Sequence, residues 1–191
     1  MPPHGPADEM VVADAAAWRS WLIVHEANSV GVWLVVAKKG TTSPTSLTYH
    51  EALEEALCGG WIDGQRRGRD ETTFLQRFTP RRPRSLWSKR NVQIIQRLSA
   101  SGRIRPRGHS EIDAAQRDGR WDRAYPGQAE AEIPSDLAAA LQAAPGTAKR
   151  LEGLSAAQRY AALYPILTAA DPASRERRIA SLLARLLAKP A

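Results

Sequence analysis

Hydrophobic positions follow two rhythms along this chain. Up to about residue 125, short apolar runs alternate with amphipathic helical stretches; beyond residue 134 only helical spacing is found. Asp14 is suited to cap a helix in which Trp18, Trp21, Leu22 and His25 share a face, running to about Asn28. The apolar stretch VWLVVA between Gly31 and Lys38 predicts a central strand, and Gly40 to Ser46 a loop. Thr48 and Glu51 form a capping-box pattern. The helix they open is expected to expose Glu51, Glu54 and Glu55, bury Leu53, Ala56 and Leu57, and stop at Gly59-Gly60.

Trp61 to Gln65 and Thr72 to Thr79 then read as a hairpin turning through Arg67-Gly68-Arg69-Asp70. Phe74 and Phe78 fall on one face, Leu75 and Arg77 on the other. Pro80 and Pro83 end the second strand and hold Arg81 and Arg82 extended. Ser88 predicts the start of a helix with Val92, Ile95 and Leu98 inward, closed by Gly102. Ser110 with Asp113 signals a short helix ending at Gly119.

Residues 126–133 are polar and aperiodic, and serve as the expected linker between an N-terminal part, 1–125, and a C-terminal part, 134–191. The latter predicts helices over Pro134 to Ala144, Gly146 to Glu152, Ser155 to Ala169 and Asp171 to Leu187. Ile179, Leu182, Leu183 and Leu186 form a core stripe on the last, and Pro165 predicts a kink or break in the one before. The expected fold class is α+β: a small antiparallel sheet of about three strands with helices, followed by an all-helical C-terminal part.

Composition narrows the function classes. At 191 residues with 43% apolar content the chain can bury a core. No run approaches the roughly 18 apolar residues of a membrane helix, so no membrane insertion is expected. Residues Met1 to Val12, which include His4, lack the layout of a secretory signal, and a lone Cys58 fits a reducing cytoplasm. Charge is uneven: Trp61 to Arg123 hold 16 basic and 7 acidic residues, against 11 and 13 elsewhere. Arginine supplies 22 of the 27 cations, and its fork suits carboxylates and phosphates.

Familiar catalytic signatures are missing. There is no phosphate-binding loop, no Gly-x-Ser-x-Gly elbow and no His-Glu-x-x-His. Cys58 closes a helix C-terminus, where the dipole disfavours a thiolate. His25, His50 and His109 are isolated, so neither metal nor cofactor is expected. One constellation remains. Asp63, Arg66, Arg69 and Asp70 lie on the first half of the hairpin; Arg77, Arg81 and Arg82 follow; Ser85, Trp87, Ser88 and Asn91 surround the next helix start. Free amides there with nearby arginines suit an anion, and Trp87 would supply a flat platform for a base. The competing reading is a set of Asp–Arg salt bridges locking hairpin to helix.

Several ordered motifs carry a family resemblance. Ala56-Leu57-Cys58-Gly59-Gly60-Trp61-Ile62-Asp63-Gly64, Arg77-Phe78-Thr79-Pro80-Arg81-Arg82-Pro83, Ser85-Leu86-Trp87-Ser88-Lys89-Arg90-Asn91, Gly102-Arg103-Ile104-Arg105-Pro106 and Asp118-Gly119-Arg120-Trp121 occur in order. With Pro134-Ser135-Asp136-Leu137, Tyr160 and Arg175-Glu176-Arg177-Arg178-Ile179-Ala180, the chain resembles the YdeI/OmpD-associated, or bacteriocin-protection, family from roughly Trp18 to Leu187. The resemblance implies an α+β part followed by a helical part and a link to stress or bacteriocin tolerance, with no catalytic residue to carry over. Gly60 stands where that family usually has a bulky aromatic, which would open space beside Trp61.

The expected function is a cytoplasmic bacterial protein binding an anionic partner (nucleotide, nucleic acid or acidic protein) through the arginine-rich hairpin and helix start. Two rivals stand beside it: an enzyme using Asp63 or Asp70 as general base, and a protein-interaction module acting through its C-terminal helices.

Overall fold

The computed structural model describes residues 9–188; His4 and the rest of the first eight residues lie outside them. The fold is α+β. In chain order the elements are β1 (Glu9–Met10), α1 (Ala15–His25), β2 (Val32–Ala37), α2 (Tyr49–Cys58), β3 (Trp61–Gly68), β4 (Thr73–Pro80), α3 (Lys89–Ala100) and α4 (Pro106–Arg117). Then come α5 (Ser135–Ala143), α6 (Thr147–Glu152), α7 (Ala156–Leu167) and α8 (Pro172–Ala188). Two compact units divide the chain: Met1–Ser85 with Asn91–Asp122, and Leu86–Arg90 with Arg123–Ala191.

The first unit is built on a sheet of order β1-β2-β4-β3. It has four strands rather than three and is mixed, because Glu9–Met10 adds a parallel strand beside Trp33 and Leu34. Two residues are too few for any alternation to betray a strand in sequence. The β3–β4 hairpin carries a bulge between Asp63 and Arg66, where three steps along β3 match two along β4. The buried amide of Gln76 spans the irregularity, donating to the carbonyls of Gly64 at 2.9 Å and Gln65 at 3.2 Å.

On one face of the sheet Phe78 meets the Trp18 ring of α1 at 5.8 Å, and Trp18 meets Trp61 edge-on at 6.4 Å. Both indoles are satisfied: Trp18 Nε1 donates to the Ala52 carbonyl and Trp61 Nε1 to that of Glu26, each at 3.1 Å. Asp14 caps α1 and the Thr48–Glu51 box caps α2, because these local bonds satisfy amides that no helical carbonyl reaches. On the opposite face Trp33, Val35 and Leu75 form a smaller cluster.

Three local expectations are corrected. Helix α4 begins at Pro106, four residues before Ser110: proline at the first helical position starts it, and Ser110 Oγ donates back to the Pro106 carbonyl from inside the helix. Gly60 opens no space beside Trp61; its φ of +72° is costly for other residues, and a Cβ there would stand 3.0 Å from Glu111 and 3.2 Å from Arg107. Glu55, expected to be exposed, is buried at 2%.

In the second unit Leu137, Leu141, Leu151, Leu163, Ile166, Ile179, Leu182 and Leu186 form the core. The Ser155–Gln158 box opens α7, which continues through Pro165 and ends two residues later. Tyr125 exchanges backbone bonds with the Trp87–Lys89 stretch, stacks edge-on against Tyr164 at 5.1 Å, and is followed by Pro126, whose carbonyl accepts from the Tyr160 hydroxyl at 3.0 Å.

Candidate functional site

Five of the expected residues lie along the hairpin: Asp63 and Arg66 on β3, Arg69 and Asp70 in its turn, and Arg77 on β4. They have different partners. Asp63 accepts the Tyr49 hydroxyl at 2.7 Å. Asp70 accepts from the amides of Thr72 and Thr73 and from both their hydroxyls, at 2.7 to 3.0 Å, closing the turn. The Thr73 hydroxyl first, with these other donors, holds the Asp70 carboxyl well below its ordinary value. So stabilised, it is a poor base. Arg69 pairs with Glu9 at 2.8 Å and Asp70 at 2.6 Å, tying the turn to β1.

Arg66 and Arg67 are held otherwise. The bulge reverses the parity of β3, so these exposed neighbours straddle the edge strand. The Arg66 guanidinium lies 3.7 Å from the centre of the Phe74 ring, and that of Arg67 lies 4.1 Å from Trp33. Neither has a carboxylate within ion-pair distance among the described residues. Arg77 approaches the Trp33 ring at 5.9 Å. A guanidinium stacked on a ring is fixed through its face, leaving its N–H edge available to an anion. Arg67 was legible only as part of the turn; the bulge makes it part of this surface.

The residues after β4 take other places. Arg81 is buried at 4%, so it belongs to the packed interior rather than to a surface. Arg82 is exposed, and its amide donates to Ser85 Oγ at 2.9 Å while the Ser85 amide returns a bond to its carbonyl. Asn91 is buried in α3. Trp87 and Ser88 belong to the second unit. Trp87 is buried at 2%, which leaves no ring face for a base: the platform expected there does not form.

A different cluster escaped sequence reasoning. The α2 carboxylate of Glu55 receives Arg19 from α1 in a bidentate pair (2.9 and 2.6 Å) and Arg103 at 2.5 Å. Glu54 beside it binds Arg103 at 2.9 Å, His50 at 3.0 Å, and Arg97. Arg105 bonds Glu26 at 2.8 Å and the Glu55 carbonyl at 3.0 Å, crossing directly over Gly59, where a Cβ would stand 2.3 Å from it. Burial raises both α2 carboxyls, but the arginine bonds, from Arg103 and Arg97 on Glu54 and from Arg19 and Arg103 on Glu55, outweigh it and hold both below their ordinary value. Cys58 lies buried beside this web, its thiol pushed up to about 11 by burial and then by the Glu55 charge. A neutral, enclosed thiol is a weak nucleophile. One signal was present: Glu55 shares a helical face with Ala52 and Gly59, small residues that leave room for incoming arginines.

No group of three or more histidine, cysteine, aspartate or glutamate side chains is placed to hold a metal among the described residues. No described helix is long and apolar enough to cross a membrane. Compared with known families, residues 10–111 match a domain of unknown function (DUF8412), and residues 130–189 match the family described as bacteriocin-protection, YdeI or OmpD-associated. No curated protein and no solved structure matches the chain.

Proposed function

Because the chain belongs to the DUF8412 family over more than half its length and ends in a YdeI/OmpD-associated region, both without a stated reaction, we propose a binding role: it engages an anionic partner through the β3–β4 hairpin. The observation that carries this reading is the exposed pair Arg66 and Arg67, stacked on Phe74 and Trp33 rather than neutralised by carboxylates. Two adjacent guanidiniums pointing to either side of one edge strand suit a chain of repeated phosphates better than a single charge, which favours nucleic acid within the class. A cytoplasmic setting, and a part in tolerance of bacteriocins or other stress, belong to the same proposal. The single buried cysteine and the description of the matching family support them.

The test is anisotropy of a labelled mixed-sequence single-stranded oligonucleotide across a salt series. Binding should fall steeply with salt, and the Arg66→Ala/Arg67→Ala variant should flatten that slope by about 0.7 unit per lost phosphate contact, the single-strand value. Absence of binding at low salt, or an unchanged slope in the variant, overturns the reading. Polyglutamate binding as tight as the oligonucleotide's would move the partner to the acidic-protein class.

A further inference from the structure

Helix α8 sorts its arginines by partner. Arg175 is spent on structure: it clasps Asp136 of α5 through two bonds, at 2.5 and 2.8 Å, and donates to the Ile166 carbonyl at 2.9 Å. Arg177, Arg178 and Arg185 have no carboxylate within ion-pair distance among the described residues. All three line a groove of about 380 Å³ beside α7, together with Ser174, Ser181 and, from α7, Pro165. Ser174, Arg178, Ser181 and Arg185 recur at intervals of four, three and four residues, so they form one stripe, with Arg177 alongside. This stripe is offset from the Ile179, Leu182 and Leu186 stripe that enters the core.

The groove is held ready by local bonds. Pro165 lies in the last turn of α7, where carbonyls lack a helical donor, and Arg178 donates to its carbonyl. That bond fixes Arg178 against the wall while leaving other N–H groups of its fork unspent. Arg177 donates to Ser174 Oγ at 2.9 Å, and Asp171, the acidic group that acts on Arg177, is itself occupied by the Ser174 amide and hydroxyl at 2.8 Å. Arg185, two turns further on, is exposed.

We propose that this groove is a second anion site, distinct from the hairpin, and that it takes a small ligand bearing two or more phosphoryl groups. Its volume of about 380 Å³ lies within the range of small-molecule clefts. Three cations spread over about 12 Å of helix match several charges better than one, since helical residues rise about 1.5 Å each. The serine hydroxyls add donors that suit phosphoryl oxygens.

Calorimetric titration of the full chain with tripolyphosphate, inorganic phosphate and citrate tests this. Tripolyphosphate should bind at least about tenfold more tightly than phosphate or citrate, as the loss of a charge-assisted contact implies. Arg177→Gln/Arg185→Gln should weaken it by about tenfold or more at unchanged melting temperature, while Arg66→Ala/Arg67→Ala leaves it unchanged. Absence of tripolyphosphate binding, or undiminished binding in the α8 variant, overturns the proposal; citrate binding equal to tripolyphosphate overturns the phosphoryl assignment. Each result is independent of the oligonucleotide slope.

Discussion

Within one folding unit, arginines meet opposite fates at the end of α2 and on the β3–β4 hairpin. At α2, Arg19, Arg97, Arg103 and Arg105 converge on Glu26, Glu54 and Glu55, so that each guanidinium meets a carboxylate. On the hairpin, Arg66 and Arg67 rest on aromatic rings and keep their charge facing outward. The difference lies in the neighbours rather than in the arginines. A carboxylate that burial has already desolvated recruits every guanidinium within reach, because leaving it unpaired is costly. A ring holds a guanidinium weakly and does not neutralise it.

The sharpest way to break this comparison is Glu55→Gln, which removes the acceptor on which Arg19 and Arg103 converge. Its expected cost is about 3 kcal/mol, at the lower end for a broken buried pair because Arg19 is half exposed and screened. Urea unfolding that left the midpoint within error would show that the web is ornamental. Acid should act on the same groups. Glu54 and Glu55 have depressed values in the fold, so their contribution is complete above the unfolded carboxyl value, about pH 4.3, and is lost as pH falls through the lower folded values. Unfolding free energy measured down a pH series should decline below about pH 4.3, and less steeply in Glu55→Gln. Parallel profiles would remove Glu55 from the account.

On the hairpin the balance should reverse. Arg66→Ala/Arg67→Ala should cost no more than about 1 kcal/mol per side chain in thermal unfolding, the scale of an exposed cation–π contact, while changing the oligonucleotide salt slope. A collapse in stability would place these arginines with the α2 web. The smallest effect belongs to the half-exposed Asp136–Arg175 clasp of the second unit: Asp136→Asn should cost about 0.5 kcal/mol. A loss as large as that of Glu55→Gln would mean that burial does not separate the two kinds of ion pair.

Much of the fold was legible because its signals are local. Asp14, the Thr48–Glu51 and Ser155–Gln158 boxes, and the Ile179, Leu182 and Leu186 stripe all act over three to seven residues, and each stands where the sequence placed it. The candidate site was legible in part. The Arg-rich hairpin formed, with Asp70 and Arg69 consumed by its turn, whereas Trp87 and Arg81 were drawn into the interior. Burial of those two depends on packing that no short window contains.

What the sequence by itself determined was where the longer helices and the three longer strands form, which stripe of the last helix becomes core, and that cations crowd one segment. Tertiary structure decided which of those cations remain available. Arg19 reaches Glu55 across 36 residues, Arg103 across 48, and Arg105 reaches Glu26 across 79. A single extra residue in β3 decided which side of the sheet Arg66 and Arg67 face. Local bonds are fixed by short-range geometry, whereas the fate of a charge depends on which opposite charge or ring the folded chain brings within a few ångströms of it.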